Sequence, residues 1–353
     1  MTTSPIRAAV VGYGLGGSVF HAPLVASTPG LHVAAIVTRD AERRAAAARA
    51  HPDAAIVDDL DAVLDDALGI ELVAITTTNA THAALARAAI DAGRHVVIDK
   101  PFAATVHEAR ALVAAAAARG VTVTPFQNRR WDGDFLTLQR LVRDGALGEL
   151  LRFESRFERW RDAPKPRWRA EHARAAAEGM LYDLGTHLVD QALVLAGPVR
   201  EVYAELDARH PDVRTEDDAF VALTHASGVR SRLWMSAVAG QSGPRIAAYG
   251  RAGAFLVHGL DPQEEMLKRG LRPGGAGWGE APASGHGTLA AGGAAQAVAP
   301  ERGAYERFYA GVRDAIRDGA PPPVDHATVI AGLEVIAAAF VAHAERRIVT
   351  LGA

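Results

Sequence analysis

Cysteine is absent from the 353 residues of this chain. Disulfides, iron–sulfur clusters and cysteine-bound zinc are thereby excluded, and a chain without thiols fits a reducing compartment. Lysine is almost absent too. It stands only at Lys100, Lys165 and Lys268, although Lys and Arg together number 38. No sign of charge dominates: the net charge is -3, which leaves no electrostatic footprint for nucleic acid. Residues 1–5, Met-Thr-Thr-Ser-Pro, hold neither a basic nor an apolar leader segment. No run of about 18 residues reads as apolar enough to span a membrane. The sequence therefore predicts a cytoplasmic protein with neither a membrane nor a nucleic-acid partner. The 14 histidines lack metal-ligand spacing, and neither H-E-x-x-H nor G-x-x-x-x-G-K-[ST] occurs, so no metal is expected.

What is present is ordinary globular composition in a chain long enough for two domains. Over the first 125 residues, short apolar runs alternate with amphipathic stretches. Strands are predicted at Ile6–Val11, His32–Val37, Leu72–Ile75, His95–Ile98 and Val121–Thr124. Helices are predicted at Gly16–Ser27, Asp40–His51, Thr81–Ala92 and Thr105–Arg119. That rhythm is the mark of a doubly wound parallel sheet, a Rossmann domain over residues 1–126.

From residue 127 to 353 the pattern changes to an α+β domain. A helix at Trp131–Asp144 precedes strands at Leu150–Arg159, Val199–Asp207, Ala219–His225, Arg230–Ala237 and Ala247–Val257. Successive strands without helices between them predict an open, mainly antiparallel sheet. A helix at Tyr182–Ala196 interrupts them. Residues 270–303 show no period and read as a long surface excursion. Helices at Tyr305–Arg317 and His326–Arg347 close the chain, one of them returning to the first domain.

Gly12-Tyr13-Gly14-Leu15-Gly16-Gly17 matches G-x-G-x-x-G, directly after a strand and before a helix. Its glycines allow a tight turn, close approach of a pyrophosphate, and close helix–strand packing. The anion then rests on unpaired helix N-terminal N–H groups. At the end of the second strand, where an NAD enzyme carries a carboxylate, stands Thr38, followed by Arg39 and, one turn on, Arg43. A hydroxyl with guanidinium groups suits a 2′-phosphate, so NADP is expected. Asp40 reads as a helix cap; if instead it binds the ribose, the cofactor is NAD. Thr77 and Asn79, in Thr76-Thr77-Thr78-Asn79, follow the next strand at the same edge and belong to the cofactor site in this reading, Asn79 at the ribose. Thr81 is expected to cap a helix, with His82 in its first turn, where a structural role competes with cofactor contact.

Lys100 lies between Asp99 and Pro101 at the carboxyl end of a predicted strand, where open α/β sheets place their ligands. Lysine is a compact point charge, which a planar guanidinium does not replace. Asp183 and His187 stand four apart on a predicted helix, hence on one face. An ordinary solvated helical pair is the plain alternative. Gly185 between them costs about 1 kcal/mol relative to alanine, suggesting a close approach to the backbone. Oxidising a secondary alcohol takes a hydride from carbon and a proton from oxygen. Histidine, with a pKa of about 6.5, suits the proton; a carboxylate orients it or binds a hydroxyl, and a lysine stabilises the alkoxide.

These runs, with Thr78-Asn79…His82, Asp99-Lys100-Pro101 and Gly179…Asp183-x-Gly185-x-His187, resemble the Gfo/Idh/MocA oxidoreductases, over almost the whole chain. Most of that family carries Glu-Lys-Pro where this chain has Asp-Lys-Pro. That variant, with Val19-Phe20-His21-Ala22-Pro23, Gln127–Trp131 and Asp261–Glu264, is similar to the branch containing NADP-dependent scyllo-inositol dehydrogenase. The resemblance implies that Lys100, Asp183 and His187 are catalytic. It also implies a small sugar or polyol substrate and a sheet that mediates oligomers, a homodimer or homotetramer. Arg129, Arg130, Trp131, Trp168 and His172 are candidates to line the substrate pocket, or else merely stack at a domain junction. Two other functions compete: a glycoside hydrolase using bound NAD, which Thr38-Arg39 disfavours, and a non-catalytic cofactor sensor, which has no need of the three catalytic residues together.

Overall fold

The computed structural model describes residues 4–171 and 173–352. The chain divides into two compact units. One holds the residues up to Asn128 together with Gln263–Trp278 and Ala304–His326. The other holds Arg129–Pro262, Gly279–Gly303 and the chain from Ala327 onward.

The first unit is built on a parallel sheet of six strands: β1 (Ile6–Val11), β2 (Leu31–Val37), β3 (Ala55–Val57), β4 (Leu72–Ile75), β5 (His95–Ile98) and β6 (Val123–Pro125), in the order β3-β2-β1-β4-β5-β6. All neighbours pair in parallel. Its central strands are buried along nearly their whole length, as expected where helices cover both faces. The helices are α1 (Ala22–Ser27), α2 (Ala41–Ala50), the single turn α3 (Asp61–Leu64), α4 (His82–Asp91) and α5 (Val106–Arg119). Asp40 caps α2, its carboxylate accepting from the Arg43 N–H. Thr105 and Glu108 form a capping box on α5.

The second unit opens with α6 (Gly133–Arg143) and α7 (Thr186–Ala196), both lying on its sheet. The sheet has nine strands: β7 (Leu150–Glu158), β8 (Val199–Asp207), β9 (Asp218–His225), β10 (Arg230–Ser236), β11 (Ile246–Gly250), β12 (Gly253–Val257), β13 (Gly287–Ala291), β14 (Ala294–Val298) and β15 (Val349–Thr350). Their order is β14-β13-β12-β11-β7-β10-β9-β8-β15. Every pair is antiparallel except β7 with β10. Burial alternates along β9, so one face of the sheet is core and the other is partly open.

Two segments come back to the first unit. One brings α8 (Gln263–Lys268), which packs on the turn Gly16–His21. The other brings α9 (Glu306–Asp318), fixed by Arg317 on Glu71 at 2.8 Å and Arg313 on the Pro29 carbonyl at 2.8 Å.

Several expectations need correction. The run Ala247–Val257 is two antiparallel strands, because the chain bends at Arg251 and Ala252 between Gly250 and Gly253. Residues 270–303 are no featureless excursion. They carry the β13–β14 hairpin, which turns at Gly292 and Gly293, both with positive φ, the pattern of a two-residue hairpin turn. Alanine on both faces erases the alternation that would have revealed it. The predicted helix from Gly16 begins with one π-helical turn, Gly16–His21, and Thr81 sits at the N-cap of α4 without capping it, donating instead to the Thr78 carbonyl. The last helix, α10 (His326–Glu345), is long and apolar enough by length and composition to cross a membrane, contrary to the sequence reading. Its valines, isoleucines, leucine and phenylalanine supply most of the hydropathy, with alanines between them. Within the second unit Phe340 stacks on Tyr182, and the His343 ring accepts from the Leu206 N–H.

Candidate active site

At the carboxyl end of β1 the chain enters the glycine turn with Gly12 at φ 96°, a conformation that L side chains avoid. A Cβ at Gly17 would lie 2.1 Å from the Gly12 carbonyl oxygen and 2.9 Å from Thr76 Oγ1. The last glycine thus lets the helix close on the strand. Gly14 is different, since the nearest atom to a Cβ there is Arg43 Nη1 at 3.8 Å. Gly14 therefore faces open space with a guanidinium beside it, a cradle that suits a pyrophosphate. Leu15 stands 61% exposed at the rim.

Thr38 is buried, its N–H bonded to the Val57 carbonyl and its own carbonyl taken by Arg44. Arg39 is exposed, donating from Nε to the Asp58 carbonyl at 3.1 Å. The cap on α2 occupies Asp40 Oδ1, at 2.9 Å from the Arg43 N–H. Arg44, which the sequence reading passed over, is the arginine that ties β2 to β3, through Thr38, Ile56 and Asp58.

At the ends of β4 and β5, Thr77 and Thr81 share a hydroxyl contact at 2.6 Å, and Asn79 opens a short 3-10 turn. His82 is buried, its ring nitrogens 2.9 Å from the Pro101 carbonyl and 3.2 Å from that of Thr77. It staples the two strand ends together. Asp99 Oδ1 accepts from the Lys100 N–H at 2.8 Å, and Oδ2 lies so close to Gly16 that a Cβ there would sit 2.5 Å away. Burial pushes the Asp99 carboxyl up, but His21, Lys100 and His82 outweigh it and hold it down to about 2. His21 Nε2 stands 3.8 Å from Asp99, and His21 Nδ1 meets the Tyr309 hydroxyl at 2.6 Å. Both rings are fully buried. Tyr309, on α9, was invisible to sequence reading because 288 residues separate it from His21.

The second unit carries Asp183 and His187. Gly179 has φ 114°, and a Cβ there would strike Glu216 Oε1 at 2.3 Å. Glu216 Oε1 accepts from the Leu181 N–H at 3.0 Å, and Thr215 Oγ1 lies 2.6 Å from Oε2. Burial raises the Glu216 carboxyl above its usual range. From that anchor Leu181–Gly185 makes a π-helical turn, and α7 follows, so Asp183 and His187 straddle a π-to-α junction rather than one regular helix. Such bulges recur at functional sites. Gly185 does admit a close neighbour, but it is Leu181: a Cβ would lie 2.7 Å from Leu181 Cδ1.

His187 is buried and Asp183 nearly so. Lys165 Nζ contacts Asp183 Oδ2, and Arg167 Nη2 lies 3.8 Å from Oδ1. Arg167 also pairs with Glu178, whose carboxyl burial raises. Arg130 forms a two-pronged pair with Asp190 at 2.8 and 2.7 Å, and Arg129 stacks over Phe157. Trp131 is half-buried, whereas Trp168 is fully buried and packs instead of lining a surface. His172 lies outside the described residues. Among the described residues no cluster of metal-ligating side chains occurs.

Both parts of the chain have counterparts among known proteins. Residues 6–127 match the family model for an oxidoreductase family with an NAD-binding Rossmann fold, and residues 135–256 match the GFO/IDH/MocA C-terminal domain. The chain is 37% identical to the oxidoreductase YdgJ of Escherichia coli K12 over 94% of both proteins. It is 33% identical to IolW of Bacillus subtilis, scyllo-inositol 2-dehydrogenase (NADP+), over 98% of this chain and 96% of that one. The solved structure of yvaA from Bacillus subtilis covers 100% of both chains, with a TM-score of 0.93 at 32% identity.

Proposed function

The chain belongs to the Gfo/Idh/MocA oxidoreductases, and we propose that it is an NADP-dependent dehydrogenase of a secondary alcohol, or reductase of the matching ketone, in a sugar or cyclic polyol. The observation that carries the cofactor choice is at the end of β2. Arg39 is exposed there, Arg43 reaches Gly14, Asp40 caps α2 through Oδ1, and the Asp58 carboxylate is paired with Arg44. The substrate class follows IolW, whose name gives scyllo-inositol and NADP+.

In this reading Gly12, Gly14, Leu15, Gly16 and Gly17 cradle the pyrophosphate, while Thr38, Arg39 and Arg43 take the 2′-phosphate. Thr77 and Asn79 face the ribose, and His82 and Asp99 fix the strand ends that carry them. The bound nicotinamide supplies the hydride chemistry. Lys100 holds the charge that develops on the reacting oxygen, and His187 exchanges its proton. Asp183 orients His187 or a substrate hydroxyl. Arg129 and Trp131 are the remaining candidates for substrate contact. The partly open face of the second sheet, bearing Tyr203, Phe220 and Trp234, is the expected dimer or tetramer interface. A monomer at micromolar concentration in light scattering removes that part.

The test is a panel of inositols, aldoses and their keto forms with both cofactors, followed by nicotinamide absorbance. Arg39→Ala should weaken NADP(H) binding by about one to two decades, the worth of a charge-assisted contact, and leave NAD(H) unchanged. A wild type that prefers NAD(H) refutes the cofactor assignment. Absence of turnover across the panel refutes the substrate class.

A further inference from the structure

We propose that Lys165 is a positioning residue for the reaction, holding the Asp183 carboxylate in its working orientation. The inference rests on the assignment of Asp183 to the reaction. The chain has three lysines. Lys268 pairs with Glu264 and Glu265 along one helix face, an ordinary surface arrangement. Lys165 does something else: from an irregular segment it reaches 18 residues along the chain to Asp183.

The segment is built to hold that reach. Lys165 stands between Pro164 and Pro166, which restrict the backbone on either side. Its carbonyl accepts from the Trp168 N–H at 2.9 Å, and the Trp168 ring is fully buried, anchoring the turn. The ammonium sits 5.4 Å from that ring's centroid. Arg167, two residues on, meets Glu178 and approaches the other Asp183 oxygen. Two cations thus face two carboxylates, and each Asp183 oxygen has a cation on its own side. Arg167 meets Glu178 through Nε, whereas the direct contact on Asp183 Oδ2 is a compact ammonium.

Two measurements test this. With [ε-13C]lysine incorporated, the cofactor-free protein should give three lysine ε-carbon signals, and Lys165→Arg identifies one by its loss. Asp183→Asn should displace that same signal; an unmoved signal overturns the contact. Kinetically, Lys165→Met keeps the aliphatic stem and loses the charge. It should lower kcat/KM for the polyol by about ten- to a hundred-fold, the worth of a charge-assisted hydrogen bond, with NADPH affinity unchanged by fluorescence titration. Lys165→Arg, which keeps the charge but not the compact shape, should recover only part of that loss. In an Asp183→Asn background, Lys165→Met should cost no more than about twofold, since coupled residues are not additive. A Lys165→Met enzyme as active as wild type, beside a collapsed Asp183→Asn enzyme, overturns the role of Lys165 alone. A fully active Asp183→Asn enzyme overturns the assignment of Asp183 itself.

Discussion

Replacing Glu216 by Ala should destabilise the second unit markedly, and replacing it by Gln should not. Glu216 is 2% exposed and accepts from the Leu181 N–H at 3.0 Å, 35 residues away in sequence. Its other oxygen lies 2.6 Å from Thr215 Oγ1, which itself donates to the Glu178 carbonyl at 3.1 Å. A hydroxyl has one proton to give. If Thr215 gives it to Glu178, Glu216 must bring its own, which agrees with a carboxyl that burial pushes upward. Alanine removes the Thr215 bond, worth about 1 kcal/mol, and leaves the Leu181 N–H buried without a partner, at about 1–3 kcal/mol. The total is about 2–4 kcal/mol before any cavity forms. For a unit of this size each kcal/mol moves the melting temperature by about 2–4 °C.

Glutamine keeps the acceptor for Leu181 and offers Thr215 a permanent donor. The sign of the pH dependence follows. A raised carboxyl contributes stability that is complete below the unfolded pKa, about 4.3, and is lost as pH rises through the folded value. The parent should therefore lose melting temperature from mildly acidic toward neutral pH, and Glu216→Gln should lose less. Thermal unfolding followed by circular dichroism at pH 5 and pH 8 separates the three proteins. An Ala variant that melts with the parent, or a Gln variant as unstable as the Ala one, refutes the reasoning.

Two further substitutions separate folding from binding. Gly17→Ala puts a Cβ 2.1 Å from the Gly12 carbonyl oxygen and should cost about 1–3 kcal/mol of stability, whereas Gly14→Ala meets nothing nearer than 3.8 Å and should weaken NADPH binding with the melting temperature unchanged. Tyr309→Phe removes the partner of His21 Nδ1 inside a fully buried pair and should cost about 1–3 kcal/mol in denaturant unfolding; equal midpoints for variant and parent would show that His21 finds another partner.

How much of this was legible in the sequence depended on range. The strands β1, β4 and β5 were found at their observed limits because valine and isoleucine runs bounded by glycine or polar turns leave few alternatives. The three-residue β3 was missed, since its local signal is too short, and it is held by parallel pairing to β2. In the site, local chemistry was readable: the Asp40 cap rests on an interaction three residues long. The supports were not. Glu216 under Leu181 and Tyr309 on His21 join residues 35 and 288 apart. No pattern in a single chain marks such pairs, because each partner alone looks like an ordinary polar residue.

The scarcity of lysine singles out three positions, Lys100, Lys165 and Lys268. Arginine carries out the structural ion pairing here: Arg130 grips Asp190 with two nitrogens, and Arg317 does the same to Glu71. A planar fork is favoured where a carboxylate must be held in one plane. A lysine offers a compact charge instead of such a fork. The same argument that singled out Lys100 applied equally to Lys165, whose ammonium meets one oxygen of Asp183. It also admitted Lys268, which lies on an exposed helix face with Glu264. Rarity of a residue type therefore selects candidates without ranking them. What separates Lys165 from Lys268 is the partner: a nearly buried carboxylate on a π-helical turn in one case, and a helix-surface neighbour in the other.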